Sequence, residues 1–216
     1  MQEPMSIRLN PQAISLKQNL EALVGWMERQ PQEKFPVPQL IMQGYEHWDQ
    51  FRQAFVAFVE SKTPEEWTPE EFRLFSYVIR LDWQAHQLLK ELPADKLYLV
   101  LSQDYRDQAI RVYMLANLKM LPDIASRQQI AYRLYANADS DALRDQALII
   151  LAATGWPDAE DQAIKDWHSG DPIKRLVALN CLNAAKSPLL EEYLDLALQS
   201  DEHSLRTVAL SIKQSQ

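Results

Sequence analysis

The side chains that could carry chemistry in this sequence are few and widely separated. No two of the four histidines have metal-ligand spacing, no H-E-x-x-H motif occurs, and Cys181 is the single cysteine. Metal centres and nucleophilic sites need such residues at close, defined spacing. The sequence therefore predicts no catalytic residue, no metal site and no cofactor, and it leaves open a Cys–His pair brought together by the fold.

The surroundings of His86 and Cys181 favour positions in the core. His86 follows Trp83 by three residues on an apolar stripe, and Cys181 lies among leucine and alanine, the usual setting of a small buried residue. A lone cysteine suits a reducing compartment. No signal peptide is visible, and the longest apolar stretch is far too short to cross a bilayer. We therefore expect a cytoplasmic protein without a membrane partner.

Composition argues against two common classes of protein. Only four glycines occur in 216 residues and no two lie close together, whereas phosphate-binding loops and nucleophile elbows need clustered glycines. The net charge is −8, from 22 basic and 30 acidic side chains. Because phosphate contacts need clustered lysine and arginine, this balance argues against a nucleic-acid partner.

The densest acidic cluster, at residues 65–71, is explained by helix capping. Thr63-Pro64-Glu65-Glu66 and Thr68-Pro69-Glu70-Glu71 each offer a hydroxyl at the N-cap, proline at the first helical position and glutamate at the third. In such a capping box the hydroxyl and the carboxylate satisfy free backbone N–H groups. Similar cap-then-proline starts are Asn10-Pro11, Asp171-Pro172 and Ser187-Pro188.

Helical periodicity runs through almost the whole chain. Residues 45–59 and 70–90 place apolar side chains at three-and-four spacing, which is typical of amphipathic helices. The first stripe consists of Tyr45, Trp48, Phe51, Phe55, Phe58 and Val59, and the second of Phe72, Phe75, Ile79, Trp83 and His86. No run of β-branched residues with a period of two occurs, so the sequence predicts an all-α fold.

The second half of the chain contains an internal repeat. Three copies place an arginine, then alanine and leucine, at the same offsets, with 31 residues between successive arginines. They are Leu143-Arg144-x-x-Ala147-Leu148, Lys174-Arg175-x-x-Ala178-Leu179 and Leu205-Arg206-x-x-Ala209-Leu210, and an earlier copy begins at Arg106 after Asp104. Each copy predicts an Arg-bearing helix with alanine and leucine facing inward, a short break and a second helix. The predicted second helices span 123–136, 158–168 and 188–199.

This repeated pattern resembles HEAT repeats, and its period is similar to the short HEAT-like type of phycobilisome lyases. The resemblance covers about residues 101–216. It implies an α-solenoid, or α-α superhelix, of antiparallel helix pairs, with one helix of each pair lining a concave surface. Residues 1–100 show no clear copy and are expected to form divergent pairs of the same stack or a cap on its first repeat. The whole chain is predicted to be one continuous domain.

Two residue types in the repeats have alternative roles. In HEAT-like repeats the matching arginine pairs with acidic or backbone groups of its neighbour. We expect that role for Arg106, Arg144, Arg175 and Arg206, rather than a basic row that binds an anionic ligand. Among the six tryptophans, Trp156 lies in a turn, where it either packs over the repeat junction or is exposed for recognition. Trp26, Trp48, Trp83 and Trp167 have core spacing.

The second helices supply the candidate binding surface. Opposite their apolar sides they carry polar and charged residues, and the acidic C-terminal part favours a basic or polar peptide. A surface that is merely solvated is the alternative. The candidate binding residues are Gln128, Tyr132, Arg133, Trp156, Asp161, Lys165, His168, Glu192, Asp195 and Gln199.

The sequence thus favours a non-enzymatic interaction or scaffold module of bacterial type that holds a protein or peptide partner on its concave helical surface. The alternative is an enzyme or nucleic-acid-binding protein on the same scaffold, similar to HEAT-like alkylpurine DNA glycosylases or to bilin lyases. The acidic charge argues against the glycosylase. After Asp201 one helix remains with no second helix to cover it, so self-association through this C-terminal half-repeat is a further expectation.

Overall fold

The computed structural model describes residues 9–29, 45–82, 88–103, 105 and 107–215, and within these ranges the chain is helical and has no strand. The predicted all-α fold is confirmed. Three short 3-10 turns lie at Pro64–Glu66, Leu88–Glu91 and Leu118–Met120. The α-helices are α1 (Pro11–Glu28), α2 (Trp48–Ser61), α3 (Pro69–Asp82), α4 (Ala94–Leu101), α5 (Gln108–Asn117), α6 (Ile124–Ala136), α7 (Asp141–Ala153), α8 (Ala159–His168), α9 (Pro172–Ala185), α10 (Leu190–Leu198) and α11 (His203–Ser215).

The chain divides into two compact units, Met1–Tyr113 and Met114–Gln216, with the boundary inside α5. We call them unit 1 and unit 2. The predicted division near residue 100 and the single continuous domain stay predictions. Of the helices in the described ranges, none combines the length and the apolarity needed to cross a membrane.

Unit 1 is built around an aromatic core. Helix α1 packs against α2 and α3, and it buries Leu16 and Leu23 at the contact. The stripe predicted for residues 45–59 is buried as expected, except that Trp48 is only half-buried. Trp26 is half-buried as well. The predictions for Trp83, His86, Asp104 and Arg106 lie outside the described residues.

Several helix starts follow the predicted capping pattern. The Thr63 N–H donates to Glu66 at 2.8 Å, and the Thr68 N–H donates to Glu71 at 2.8 Å. The side chains of Asn10 and Asp171 accept N–H bonds at the starts of α1 and α9. Ser187 differs: its hydroxyl accepts from the Leu189 N–H within a turn, and α10 begins only at Leu190. That prediction of a helix start was two residues early.

Unit 2 repeats one packing arrangement. Helix α7 packs against α6 and α9, while α9 also contacts α8, α10 and α11. The repeated alanines Ala147, Ala178 and Ala209 are fully buried, which permits close approach of neighbouring helices. The repeated leucines are not equivalent: Leu148 and Leu179 are buried, but Leu210 is 51% exposed. The inward position predicted for Leu210 is therefore wrong, because α11 packs Leu205, Ala209 and Ile212 against the core of unit 2 and leaves Leu210 on its exposed side.

The turns that end α7, α8 and α9 use left-handed backbone. Gly155 has φ 78° and Gly170 has φ 80°, a region that glycine enters without steric cost. At the end of α9 the same role falls to Lys186, with φ 54°. The turns at Gly155 and Lys186 lead into α8 and α10, the second helices that carry predicted binding residues.

Candidate functional site

The predicted binding residues all lie in unit 2, and the first group of them meets at the turn between α7 and α8. Gln128 of α6 donates from Nε2 to the Thr154 carbonyl at 3.3 Å. The Trp156 ring lies 5.8 Å from the ring of Tyr132 and 5.5 Å from that of Tyr135, both on α6. Trp156 therefore packs over the repeat junction and stays half-buried. Tyr132 is about half exposed, and Arg133 beside it is exposed.

The second group of predicted residues forms an exposed stripe on α8. Asp161, Lys165 and His168 follow one another at the three-and-four spacing of one helix face, and all three are exposed. On the inner side of α8, the Trp167 ring meets the Tyr193 ring of α10 edge-on at 5.2 Å. This contact places α8 and α10 side by side.

The third group, on α10, is exposed but partly engaged within the protein. Glu192, Asp195 and Gln199 all reach solvent. Asp195 accepts a hydrogen bond from Nζ of Lys213 at 2.8 Å, and Glu191 lies 3.6 Å from the same ammonium group. The hydrogen bond that Lys213 donates to Asp195 is the main reason that the pKa of Lys213 is raised. Glu192, by contrast, forms no ion pair with any residue that the structure describes.

The repeated arginines make different contacts in successive copies. Arg175 donates from Nε to the Trp167 carbonyl at 3.3 Å and reaches Glu202 of the next copy at 3.4 Å. Arg206 donates to the Ser200 carbonyl in the turn before its own helix. Arg144 pairs at 3.8 Å with Asp141, one turn earlier in α7. Arg175 and Arg206 therefore have the predicted role of joining neighbouring segments, whereas the ion pair of Arg144 with Asp141 stays within α7.

Beneath the exposed stripes, unit 2 buries two carboxylates. Asp166 of α8 accepts from Nε2 of Gln162 at 3.1 Å. Asp145 of α7 is buried, and its Oδ1 accepts no hydrogen bond from any described residue. Burial raises the pKa of Asp145, the Arg144 guanidinium opposes that shift, and the Asp166 carboxylate adds to it. The sequence reasoning treated the Asp145 position as an ordinary polar one and missed this burial.

Cys181 lies in the core of unit 2, as predicted. Burial, aided by the Asp166 and Asp145 carboxylates, raises the pKa of its thiol to about 12. A nucleophilic cysteine must form thiolate near neutral pH, so the surroundings of Cys181 oppose that role. In the parts of the chain that the structure describes, no three histidine, cysteine or acidic side chains come together to hold a metal ion.

Unit 1 contains a groove that the sequence reasoning did not identify. Its volume is about 880 Å³. One side is a stripe of α3, and the other side comes from the segments before α3 and before α5. The lining residues are Trp67, Pro69, Phe72, Arg73, Ser76, Tyr77, Arg80, Tyr105 and Asp107. We call this the α3 groove.

The charges of the α3 groove are unevenly paired. Arg80 forms an ion pair with Asp107. Asp107 also accepts the N–H of Ala109 at 2.9 Å at the start of α5. Burial alone would raise the pKa of Asp107, but Arg80 and these backbone donors lower it overall. Arg73 is exposed, and no carboxylate among the described residues pairs with it. The spacing of residues 69, 72, 73, 76, 77 and 80 along one helix face was the signal that could have revealed this groove.

The chain was compared with protein-family models, with curated proteins and with solved structures, and none of these comparisons finds a match. Function is therefore argued from the two surfaces alone.

Proposed function

We propose that this chain is a non-enzymatic protein-interaction module, a short HEAT-like solenoid over about residues 101–216, that binds a protein or peptide partner on the exposed faces of α6, α8 and α10. Two features of unit 2 support the repeat assignment. Ala147, Ala178 and Ala209 are buried at 31-residue intervals, and Arg175 and Arg206 both bond to carbonyls at the end of the preceding segment.

The observation that carries the proposal is the exposed aromatic edge next to acidic helices. Tyr132 is about half exposed and is held by contact with Trp156, so its ring is preorganised for a partner. Tyrosine and tryptophan are enriched where proteins bind one another. Helix α8 begins directly after this turn and presents Asp161, and α10 presents Glu192. Acidic groups beside an aromatic anchor favour a basic or polar segment of the partner.

The proposal is tested with surface variants that leave the core intact. Partners are captured from the native host with the wild-type chain, and the dominant one is purified and titrated calorimetrically. Tyr132→Ser and the double variant Asp161→Lys, Glu192→Lys should each weaken its binding by about tenfold or more. Glu60→Lys is the control, because Glu60 is exposed on α2 of unit 1.

Equal affinity of all these variants for the purified partner would contradict the proposed surface. Tight, steeply salt-dependent binding of duplex DNA by the wild-type chain would instead favour the nucleic-acid alternative.

Self-association through the C-terminal half-repeat is a separate part of the proposal. Leu205, Ala209 and Ile212 of α11 are already buried within unit 2, whereas Leu210 is exposed. A contact between copies would therefore have to use Leu210 rather than the apolar stripe expected from the sequence. Light scattering at high concentration should show a larger mass for wild type than for Leu210→Glu, and a monomer in both would contradict self-association.

A further inference from the structure

We propose that the α3 groove of unit 1 is a second binding site, and that its occupant is an acidic peptide segment of a protein partner. This goes beyond the proposed function, because the groove lies in the other unit and has the opposite charge preference.

The shape of the α3 groove suits a length of chain. Its α3 side runs from Pro69 to Arg80, which corresponds to about 16 Å along the helix axis at 1.5 Å per residue. Trp67 and Tyr105 line the groove as well. A groove that follows three turns of one helix can hold several consecutive residues of a peptide, as in other peptide-binding grooves.

The floor of the α3 groove is aromatic and already in place. The Phe72 ring lies edge-on to Trp67 at 5.3 Å and to Tyr105 at 6.4 Å. The Tyr105 hydroxyl donates to the Val100 carbonyl at 2.8 Å, which fixes this side chain. Trp67 and Tyr105 are both almost fully buried. A preformed apolar floor spares the entropy of ordering side chains on binding, and it would accept large apolar residues of the peptide.

The charge of the α3 groove favours an acidic side chain in the bound peptide. Asp107 is paired with Arg80 and also accepts an N–H at the start of α5. Among the described lining residues, the charge left for a ligand is therefore that of Arg73. Tyr77, one turn further along α3, is about half exposed, and Ser76 lines the groove as well. A carboxylate beside an apolar side chain would meet the Arg73 guanidinium in the bidentate geometry that arginine favours. A basic segment would be repelled there.

The test uses a displayed library of random 12-residue peptides selected on the whole chain. Enriched peptides should share an acidic residue close to an aromatic or large aliphatic one. A selected peptide is then synthesised with a fluorescent label and titrated by anisotropy. Arg73→Met, which keeps the apolar stem, and Tyr77→Ser should each weaken its binding by about tenfold. Lys17→Met removes an exposed positive charge of α1 and should leave the affinity unchanged.

Tyr132→Ser separates this proposal from the proposed function. Unchanged peptide affinity in Tyr132→Ser places the peptide away from the unit 2 surface and supports the groove, whereas loss of binding there would overturn it.

The proposal is also overturned by a failure to enrich any peptide, by enriched peptides without acidic residues, or by equal binding to Arg73→Met. Arg73-dependent binding of a labelled single-stranded oligonucleotide, or of 8-anilinonaphthalene-1-sulfonate without any peptide, would assign the groove to a different ligand and overturn it too. Arg73→Met and Tyr77→Ser both change exposed side chains, and circular dichroism checks that these two variants are folded.

Discussion

Units 1 and 2 each bury a carboxylate, and they hold it in opposite ways. In unit 1, Glu71 accepts from Nζ of Lys62 at 2.9 Å and from the Thr68 N–H at 2.8 Å. Burial would raise the pKa of Glu71, but these donors outweigh it and the pKa is lowered. In unit 2, Asp145 is buried and its pKa is raised, because the Arg144 charge only partly offsets the cost of burial. Each carboxylate has one buried oxygen, Oε1 of Glu71 and Oδ1 of Asp145, that accepts no hydrogen bond from a described residue. The donors that reach a carboxylate, rather than its burial, decide the direction of the shift.

The two carboxylates therefore give the units opposite responses to acid. Glu71 has a folded-state pKa below its unfolded value, so its contribution to stability is present at neutral pH and is lost as the pH falls through the folded-state pKa. Asp145 has a folded-state pKa above its unfolded value. Its ionised form destabilises the folded chain at neutral pH, and that cost disappears on acidification.

The largest effect is expected from Glu71→Ala, which removes the stabilised carboxylate of unit 1. The change leaves Lys62 and the Thr68 N–H without their acceptor, so the free energy of unfolding should fall by about 3 kcal/mol at pH 7. Urea titrations should show this deficit shrinking as the pH is lowered below about 4.5, the ordinary range of glutamate. Glu60→Ala, at an exposed position of α2, should change stability by less than about 0.5 kcal/mol. A deficit that does not depend on pH would contradict the role given to the carboxylate.

Lys62→Met should leave Glu71, like Asp145, as a buried carboxylate whose pKa is raised. The buried carboxylate keeps the Thr68 N–H but loses its ammonium partner, so stability at pH 7 should fall by about 2 kcal/mol. The pKa of Glu71 moves upward, and acidification should cost this variant less than it costs wild type. The same urea titrations measure both quantities. An unchanged acid response would mean that Lys62 does not control Glu71.

Asp145→Asn should change the free energy of unfolding in the opposite direction, so that the chain becomes more stable at pH 7. Removing an ionised, incompletely partnered carboxylate should stabilise unit 2 by about 1 kcal/mol at pH 7. The gain should vanish near and below about pH 4, where the wild-type carboxyl is protonated as well. Asp158→Asn changes an exposed aspartate of unit 2 whose side chain makes no capping hydrogen bond and serves as the control. If Asp145→Asn destabilises the chain at neutral pH, the ionised carboxylate is stabilised by a hydrogen-bond or ion-pair partner, which would contradict this prediction.

The smallest effect is expected from Arg144→Met. Arg144 is the main attractive charge acting on Asp145, but it is partly exposed, so its loss should cost only about 0.5 kcal/mol. The cost should disappear in the Asp145→Asn background, which a double-mutant cycle measures directly. An equal cost in both backgrounds would assign the effect to the Asp141 pair instead.

The sequence allowed prediction of local features and of little tertiary detail. The capping box at Thr68 and Glu71 follows from spacing alone, because the two groups are neighbours in one helical turn. The contact of Glu71 with Lys62 was not predictable, since it depends on how α2 meets α3. The repeat offered a partial signal for Asp145: one period later the equivalent residue is Leu176, which indicates a position facing the interior.

For the candidate surfaces as well, the sequence predicted what depends on a single helix but not what depends on the packing between elements. The residues of α8 and α10 were correctly expected to be exposed, because a helix period separates their apolar and polar sides. The engagement of Asp195 by Lys213 depends on the packing of α10 against α11, and the α3 groove depends on where Tyr105 lies after α4. Neither arrangement can be predicted from the residue pattern of a single helix.

Trp67 gives unit 1 an optical reporter of its own. Its indole is almost fully buried against Phe58, Phe72 and Phe75, and its N–H donates to no described residue. An indole in such surroundings emits at shorter wavelength than one in water. Because Trp67 also lines the α3 groove, a chain that keeps Trp67 and carries phenylalanine at the other five tryptophan positions would signal occupation of the groove through its intrinsic fluorescence, without an attached dye.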